Sequence, residues 1–318
     1  MVHKLATIAV IGLATSAVCM GAAAAIGGPA FGDGFEGIFD ERPRCQALTD
    51  ATETSRDLDW HGGQSVTLEI PVQASYSPSN GERLHASGDP QILAHLRIKD
   101  GDIELDCRGW RDRAKTLQIA LPGREFRKFT IEGGGALALN DLNQADAELK
   151  VEGSGKVRAS GKVDNLKMKI EGSGDADFNQ IVSRRARVEI EGSGTVRAKG
   201  SVDDLNIEIE GSGRADLDEM KSHNARVEIE GSGTIKAKGQ IDDLNIQIEG
   251  SGDADFGQVA SRNARVDISG HGDVHIAPSE EAKIDISGSG DVYLHSNPKQ
   301  LDTEIGGSGR IHRVGPGI

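Results

Sequence analysis

The sequence predicts an all-β fold, a single-stranded parallel β-helix, and three observations carry that reading. Glycine-flanked turns recur at a nearly fixed stride, apolar and polar residues alternate strictly between them, and bulky side chains are scarce. The turns are Gly133-Gly134-Gly135, then Gly-Ser-Gly starting at 153, 172, 192, 211, 231, 250, 288 and 307, with Gly270-His271-Gly272 between. Their steps run 20, 19, 20, 19, 20, 19, 20, 18 and 19, so a coil takes 18–20 residues and the repeating unit is a 39-residue pair of coils. Self-similarity at such a period marks a repeat architecture. Only 3% of the 318 residues are aromatic and 42 are glycine, which suits thin layers filled by small aliphatic side chains.

Within a coil, Val188-Glu189-Ile190-Glu191 sends apolar residues one way and carboxylates the other, and Ile207–Glu210 and Val227–Glu230 repeat the pattern. A period of two means a strand with one buried face. Glycine at the corners gives positive φ or close approach without steric cost. Odd coils place Val157, Val196 or Ile235 inside, followed by Ala159, Ala198 or Ala237. Even coils reverse the sizes, with Ala176, Ala215 or Ala254 followed by Phe178, Leu217 or Phe256. Across the core Leu166, Leu205 and Leu244 alternate with Ala147, Ala186, Ala225 and Ala264. Large over small fills successive layers without voids. Outside, the column Arg158, Asp177, Arg197, Asp216, Lys236, Asp255 alternates in sign, so that a slipped coil would set like charges together. The usual chirality of parallel connections makes the helix right-handed. Ten coils at ~4.8 Å each would form a rod about 45 Å long.

Four segments follow in order. Residues 1–25 read as a secretory leader, with Lys4 as its positive end, Leu5–Val18 as its apolar run and Ala22–Ala25 as its small-residue cleavage region. That run is shorter than the roughly 20 residues a bilayer span needs. Val18 is larger than the residue expected before a lipidated cysteine, so Cys19 is read as part of the leader. Residues 26–44, glycine-rich with Phe31, Phe35 and Phe39, read as a flexible lead-in. Residues 45–130 lack the exact repeat but carry strand signals at Val66–Ile70, Asp102–Cys107 and Thr116–Leu121, and are expected to form irregular first coils or a β cap. Residues 131–318 are the repetitive helix. Beyond the leader no stretch is long and apolar enough to be an integral membrane segment. Removal of the leader leaves Cys45 and Cys107, an even pair that in an oxidising compartment suggests a disulfide; two unrelated thiols are the other reading. The net charge of −14 argues against nucleic acid or an anionic membrane as partner.

With its exported N-terminus, its Gly-Ser-Gly coils, and the run Asp89-Pro90-Gln91-Ile92-Leu93 leading to Ile98-Lys99-Asp100-Gly101-Asp102-Ile103-Glu104-Leu105, the chain resembles the bacterial family named for an auto-transporter adhesin head, the GIN domain. The resemblance covers roughly residues 55–312. It implies a β-helix, an envelope or extracellular location and an adhesion-type role.

Candidate sites are few. Glu132, Glu152, Glu171, Glu191, Glu210, Glu230 and Glu249 precede their turns and would form a carboxylate column, with Glu191, Glu210 and Glu230 in its middle. Neighbours ~4.8 Å apart repel by about 1 kcal/mol in a water-like dielectric. Calcium would relieve that repulsion; an acidic face screened by salt and nearby Lys and Arg would not need it. The calcium-binding nonapeptide pattern is not met by Gly172-Ser173-Gly174-Asp175-Ala176-Asp177. His271, His275, His295 and His312, with Asp273 and Asp291 nearby, point either to a transition-metal site or to an ordinary polar capping coil. The segment Gly155–Gly161-Lys162 has the wrong spacing and no helix for a phosphate loop. No catalytic constellation and no cofactor motif emerges, because the turn serines repeat as structural residues do. β-Helix enzymes that cleave polysaccharides carry their sites on projecting loops with aromatics, for which these short coils leave no room. The sequence therefore predicts an exported, periplasmic or extracellular, non-enzymatic β-helix. It would bind an envelope or extracellular ligand, protein or polysaccharide, or serve as a spacer. The alternative is a carbohydrate-active β-helix with its site in the N-terminal part, near Trp60 and Trp110.

Overall fold

The computed structural model describes residues 42–315, so the leader, Cys19, nearly all of the lead-in and the last three residues lie outside the described residues. Strand accounts for 66% and helix for 4%, in parallel stacked coils of about nine turns. The count corrects the ten coils expected, because ten glycine corners bound nine intervals.

From Ala136 to Gly270 each coil is one long strand that bends at its corners and pairs in parallel with the coil before and the coil after. Short coils (Lys156–Gly172, Thr195–Gly211, Thr234–Gly250) have 17 strand residues, and long coils (Asp175–Gly192, Arg214–Gly231, Asp253–Gly270) have 18. The extra residue sits at a second corner. There Ala159 pairs with Phe178 and Gly161 with Ile181, so two residues of the long coil stand against Ser160 of the short one. This bulge gives the 39-residue period its backbone cause. In long coils the corner is turned by Gln180 (φ 59°) or Glu219 (φ 49°), and in short coils by Gly161, Gly200 or Gly239. Glycine is obligatory there: a Cβ at Gly200 would lie 2.0 Å from the Ile181 carbonyl oxygen of the coil below.

The interior follows the expected alternation. Phe178 and Phe256 are 2% and 0% exposed, and Val196, Ala215, Ile235 and Ala254 are fully buried. At a third corner buried Ser183 stacks on Val163 and Val202, and its hydroxyl donates to the Asp164 and Arg185 carbonyls at 3.2 and 2.8 Å. The outer column from Arg158 to Asp255 is in perfect register, each residue opposite the next. No salt bridge joins its members among the described residues, so its contribution is to register rather than to pair energy.

Before Ala136 the layering departs from chain order. Ser65–Leu68 and Gln73–Tyr76 form a layer that pairs on one side with Lys128–Gly133 and Ala136–Gly153. On its other side lie Asp102–Leu105 and Gln118–Ala120. Antiparallel strands Leu84–Ser87, Ser55–Leu58 and Leu96–Lys99 close this end, together with a helix at Pro90–His95 capped by the Asp89 carboxylate. Cys45 and Cys107 are bonded across 62 residues. Nearby, Gln91 exchanges two hydrogen bonds with the Leu48 backbone, at 2.8 and 2.9 Å. At the other end Gln300–Ile305 and Ile311–Arg313 pair on one side only among the described residues.

Candidate functional site

Three outward-facing features can meet a ligand. The first is the carboxylate column. Glu132 through Glu249 lie opposite one another in unbroken register, with Glu191, Glu210 and Glu230 adjacent in the middle. Its lower half is neutralised from the neighbouring column. Lys169 reaches Glu191 at 2.6 Å, Glu189 at 2.8 Å and Glu171 at 3.1 Å, and Lys150 bridges Glu152 and Glu171. Hydrogen bonds to Glu189 and Glu191 hold the Lys169 ammonium well above the usual lysine range, and Lys169 in turn holds the Glu171 and Glu189 carboxyls below theirs. Among the described residues no salt bridge reaches Glu210 or Glu230, both exposed. Of the three proposed ligands, therefore, one is already occupied by a lysine.

The second feature is the histidine-rich end. The Asp255 column continues upward through His275, Tyr293 and His312. These rings stack, His275 on Tyr293 at 4.5 Å and Tyr293 on His312 at 4.9 Å between centroids. His295 folds back over Gly257, where a Cβ would strike its ring at 2.9 Å, and its Nε2 meets His275 Nδ1 at 2.9 Å. Burial and then the neighbouring His275 push the His295 imidazole below its ordinary value. His312 bonds Asp291 at 2.9 Å. Asp253, Asp273 and Asp291 each accept a backbone N–H of the next coil, so these carboxylates serve the stack. His271, exposed in its turn, does not join His275 and His295. Among the described residues the single cluster of metal-ligand type is His95, Asp106 and Cys107, and there the thiol is spent in the disulfide.

The third feature is a groove of about 950 Å³ running along the stack axis at the third corner. Its floor is the Leu/Ala column from Leu166 to Ala264, whose side chains turn into the core and are at most 5% exposed. One wall carries Asn165, Arg185, Asp204, Asn224, Asp243 and Asn263, in which an asparagine amide donates to the aspartate of the coil below at 2.6–2.8 Å. The other carries Lys167, Arg187, Asn206, Arg226, Asn245 and Arg265. The sequence reading missed this groove. Its only signal was two successive outward residues, such as Asp203-Asp204, ahead of each floor residue.

Trp60 and Trp110, where an enzymatic alternative was placed, are both engaged in packing. Trp60 stands edge-on to buried Phe126 at 5.1 Å, and Trp110 lies under the Arg113 guanidinium at 4.4 Å and against His95.

The family model described as "Putative auto-transporter adhesin, head GIN domain" matches residues 64–213 and 186–298. Among solved structures the chain is similar to a protein named a putative adhesin from Parabacteroides distasonis ATCC 8503, at 15% identity and a TM-score of 0.50, covering 84% of this chain and 99% of that one. A putative adhesin from Parabacteroides merdae ATCC 43184 is 14% identical with a TM-score of 0.47, covering 81% and 95%. A protein named a putative lipid binding protein from Parabacteroides distasonis ATCC 8503 is 17% identical with a TM-score of 0.45, covering 82% and 96%. No curated protein matches the chain in sequence.

Proposed function

We infer the function from the premise that this chain belongs to the family of the auto-transporter adhesin head, the GIN domain: it is an exported, non-enzymatic binding module of the cell envelope, periplasmic or surface-exposed. The observation that carries this reading is the axial groove. It runs uninterrupted over the repeating coils between walls of hydrogen-bonding side chains, on a scaffold whose every layer is pinned to the next. Such a surface suits an elongated ligand held along its length. Glu210, Glu230 and the His275–His295 pair are secondary ion candidates on other columns.

The test is co-sedimentation with purified envelope polysaccharide, comparing the unmodified protein with Asn206→Trp/Asn245→Trp, which fills the groove from two half-buried wall positions. Retention is expected for the first and not for the second. Equal retention would remove the groove as the site. Release of new sugar ends from the polysaccharide, lost on changing Trp60 or Trp110, would favour the carbohydrate-active alternative instead.

A further inference from the structure

We propose that the axial groove takes an extended acidic polysaccharide with one carboxylate in every second sugar. The proposal rests on the reading of the groove as the binding face, and it adds the chemistry of the occupant.

The groove is locally positive in an acidic protein. It is lined by six cationic side chains against three carboxylates, whereas the whole chain carries −14. Two of those carboxylates, Asp204 and Asp243, are already engaged by the Asn224 and Asn263 amides at 2.7 and 2.6 Å. Arg187 meets Glu208 at 2.6 Å and Arg226 meets Glu228 at 3.3 Å, so two of the six cations already carry a carboxylate that a ligand would have to displace or share. Among the described residues no carboxylate pairs with Lys167, Arg185, Arg265 or Lys283. Screening over about 8 Å at physiological salt lets this local field act in spite of the net charge.

Period decides the class of polyanion. Arg187, Arg226 and Arg265 occupy equivalent places in three long coils, with Asn206 and Asn245 between them in direct register. From Arg187 to Arg265 cations therefore recur every second coil, ~9.6 Å apart at ~4.8 Å per strand, while Lys167 and Lys283 stand on the coils directly adjoining the two ends. An extended β-linked disaccharide advances by about that distance, which sets a carboxylate against each arginine and an uncharged sugar against each asparagine amide. Beneath the two walls Ala186, Ala225 and Ala264 alternate with Leu205 and Leu244, all buried in the core, so the ligand's contacts come from the wall side chains. An anionic lipid has a single headgroup and would need the cations gathered at one end. An extended acidic peptide shows one face every ~6.8 Å and drifts out of step with the arginines.

The probes are hyaluronan oligosaccharides of increasing length, neutral cello-oligosaccharides, poly-L-glutamate and phosphatidylglycerol vesicles, with affinity measured by titration calorimetry. Hyaluronan is expected to bind more tightly with each added disaccharide, and the neutral glycan not to bind. Arg187→Gln/Arg226→Gln/Arg265→Gln should weaken hyaluronan at least about tenfold, as loss of charge-assisted hydrogen bonds requires. The charge-matched Arg158→Gln/Arg197→Gln/Lys236→Gln, on another face, should leave affinity unchanged. Equal loss in both triple variants, or equal binding of poly-L-glutamate or vesicles, overturns the proposal. Absence of hyaluronan binding overturns it too, yet leaves the groove's function standing if Asn206→Trp/Asn245→Trp still abolishes retention on envelope polysaccharide. If that variant changes nothing, both readings fall.

Discussion

Between Ala136 and Gly270 every coil pairs with its immediate predecessor and successor in the chain, whereas in the cap most partners come from far away, the hairpin of Leu96–Lys99 with Asp102–Leu105 apart. Ser65–Leu68 lies between Asp102–Leu105 and Lys128–Gly133, and the first of these arrives after a helix and three further strands. The stack thus specifies itself by a rule that each unit repeats: large over small inside, glycine at two corners, charge against charge outside. The cap has no such rule. It closes long loops at an entropic cost and offsets it with a disulfide and a cluster of aromatics, Trp60, Tyr76, Phe126 and Phe129, in mutual contact. Open ends of stacked repeats need shielding of this kind.

Core truncation should separate the two regions most sharply. Phe126→Ala in the cap and Phe256→Ala in the stack should each cost about 3–5 kcal/mol, and Phe178→Ala should match Phe256→Ala because its layer is built alike. The difference lies in spread. Hydrogen exchange after Phe126→Ala should rise across Ser55–Tyr76 and Gln118–Gly133 together, but after Phe256→Ala only in the adjoining coils. Confinement of the Phe126→Ala effect to its own strand would show that the cap is not a cooperative unit.

Opening the disulfide comes next. Cys45→Ser/Cys107→Ser should destabilise the cap by about 2–4 kcal/mol and leave exchange in Thr234–Gly270 unchanged. Thiol labelling of the exported protein under denaturing, non-reducing conditions should find neither cysteine free.

Within the stack, the second corner distinguishes short from long coils. Gly200→Ala forces a Cβ onto the Ile181 carbonyl and should cost about 1–3 kcal/mol. Glu219→Gly relaxes a strained φ of 49° at the equivalent corner of a long coil and should be far milder. Equal costs would mean that the bulge, rather than the close approach, governs the corner.

How much of this was legible tracks the same division. Register, core and charge column of the stack followed from residues such as Val196, Phe256 and Arg197, because alternation and stride report which way each side chain points. The groove did not, since Asn165, Asp204 and Arg226 simply read as outward, and only the sharp corner makes outward columns face one another. The neutralising lysines were visible, as Lys150 and Lys169 stand where later coils carry Glu189, Glu208 and Glu228, but their reach across coils needed coordinates. In the cap, Asp89-Pro90 announces a helix start and Asp100-Gly101 a two-residue hairpin between Leu96–Lys99 and Asp102–Leu105, but nothing local betrays the antiparallel pairing of Ser55–Leu58 with Leu84–Ser87.

A smaller effect concerns the histidine end. The His295 imidazole faces His275 and feels the Asp255 carboxylate, and its folded pKa lies below the unfolded value because burial and His275 disfavour its charged form. The unfolded chain therefore takes up a proton first as pH falls from about 6.5. The stabilisation is complete above that value and is lost as pH drops through the folded pKa. Protection of Val292–Leu294 against exchange, taken relative to the intrinsic rate at each pH, should fall between about pH 7 and pH 5, and His295→Gln should flatten that dependence. A pH response unchanged in His295→Gln would place its origin elsewhere.

The smallest expected effect tests the two halves of the carboxylate column. Glu171 and Glu191 already share Lys169, whereas Glu210 and Glu230 face one another without a cation. If the upper half held calcium, low millimolar calcium would raise the melting temperature beyond magnesium or matched sodium chloride, and Glu210→Gln/Glu230→Gln would abolish the difference. Calcium takes about 6–8 oxygen ligands, and a single row of exposed glutamates on a flat strand face offers few of them around one point. Calcium and matched salt should therefore act alike, with both raising stability by screening. The same double variant should stabilise the ion-free stack slightly by removing repulsion. Lys169→Gln should do the opposite in the lower half, because it leaves Glu189 and Glu191 without their lysine, as Glu210 and Glu230 already stand, while Glu171 keeps Lys150.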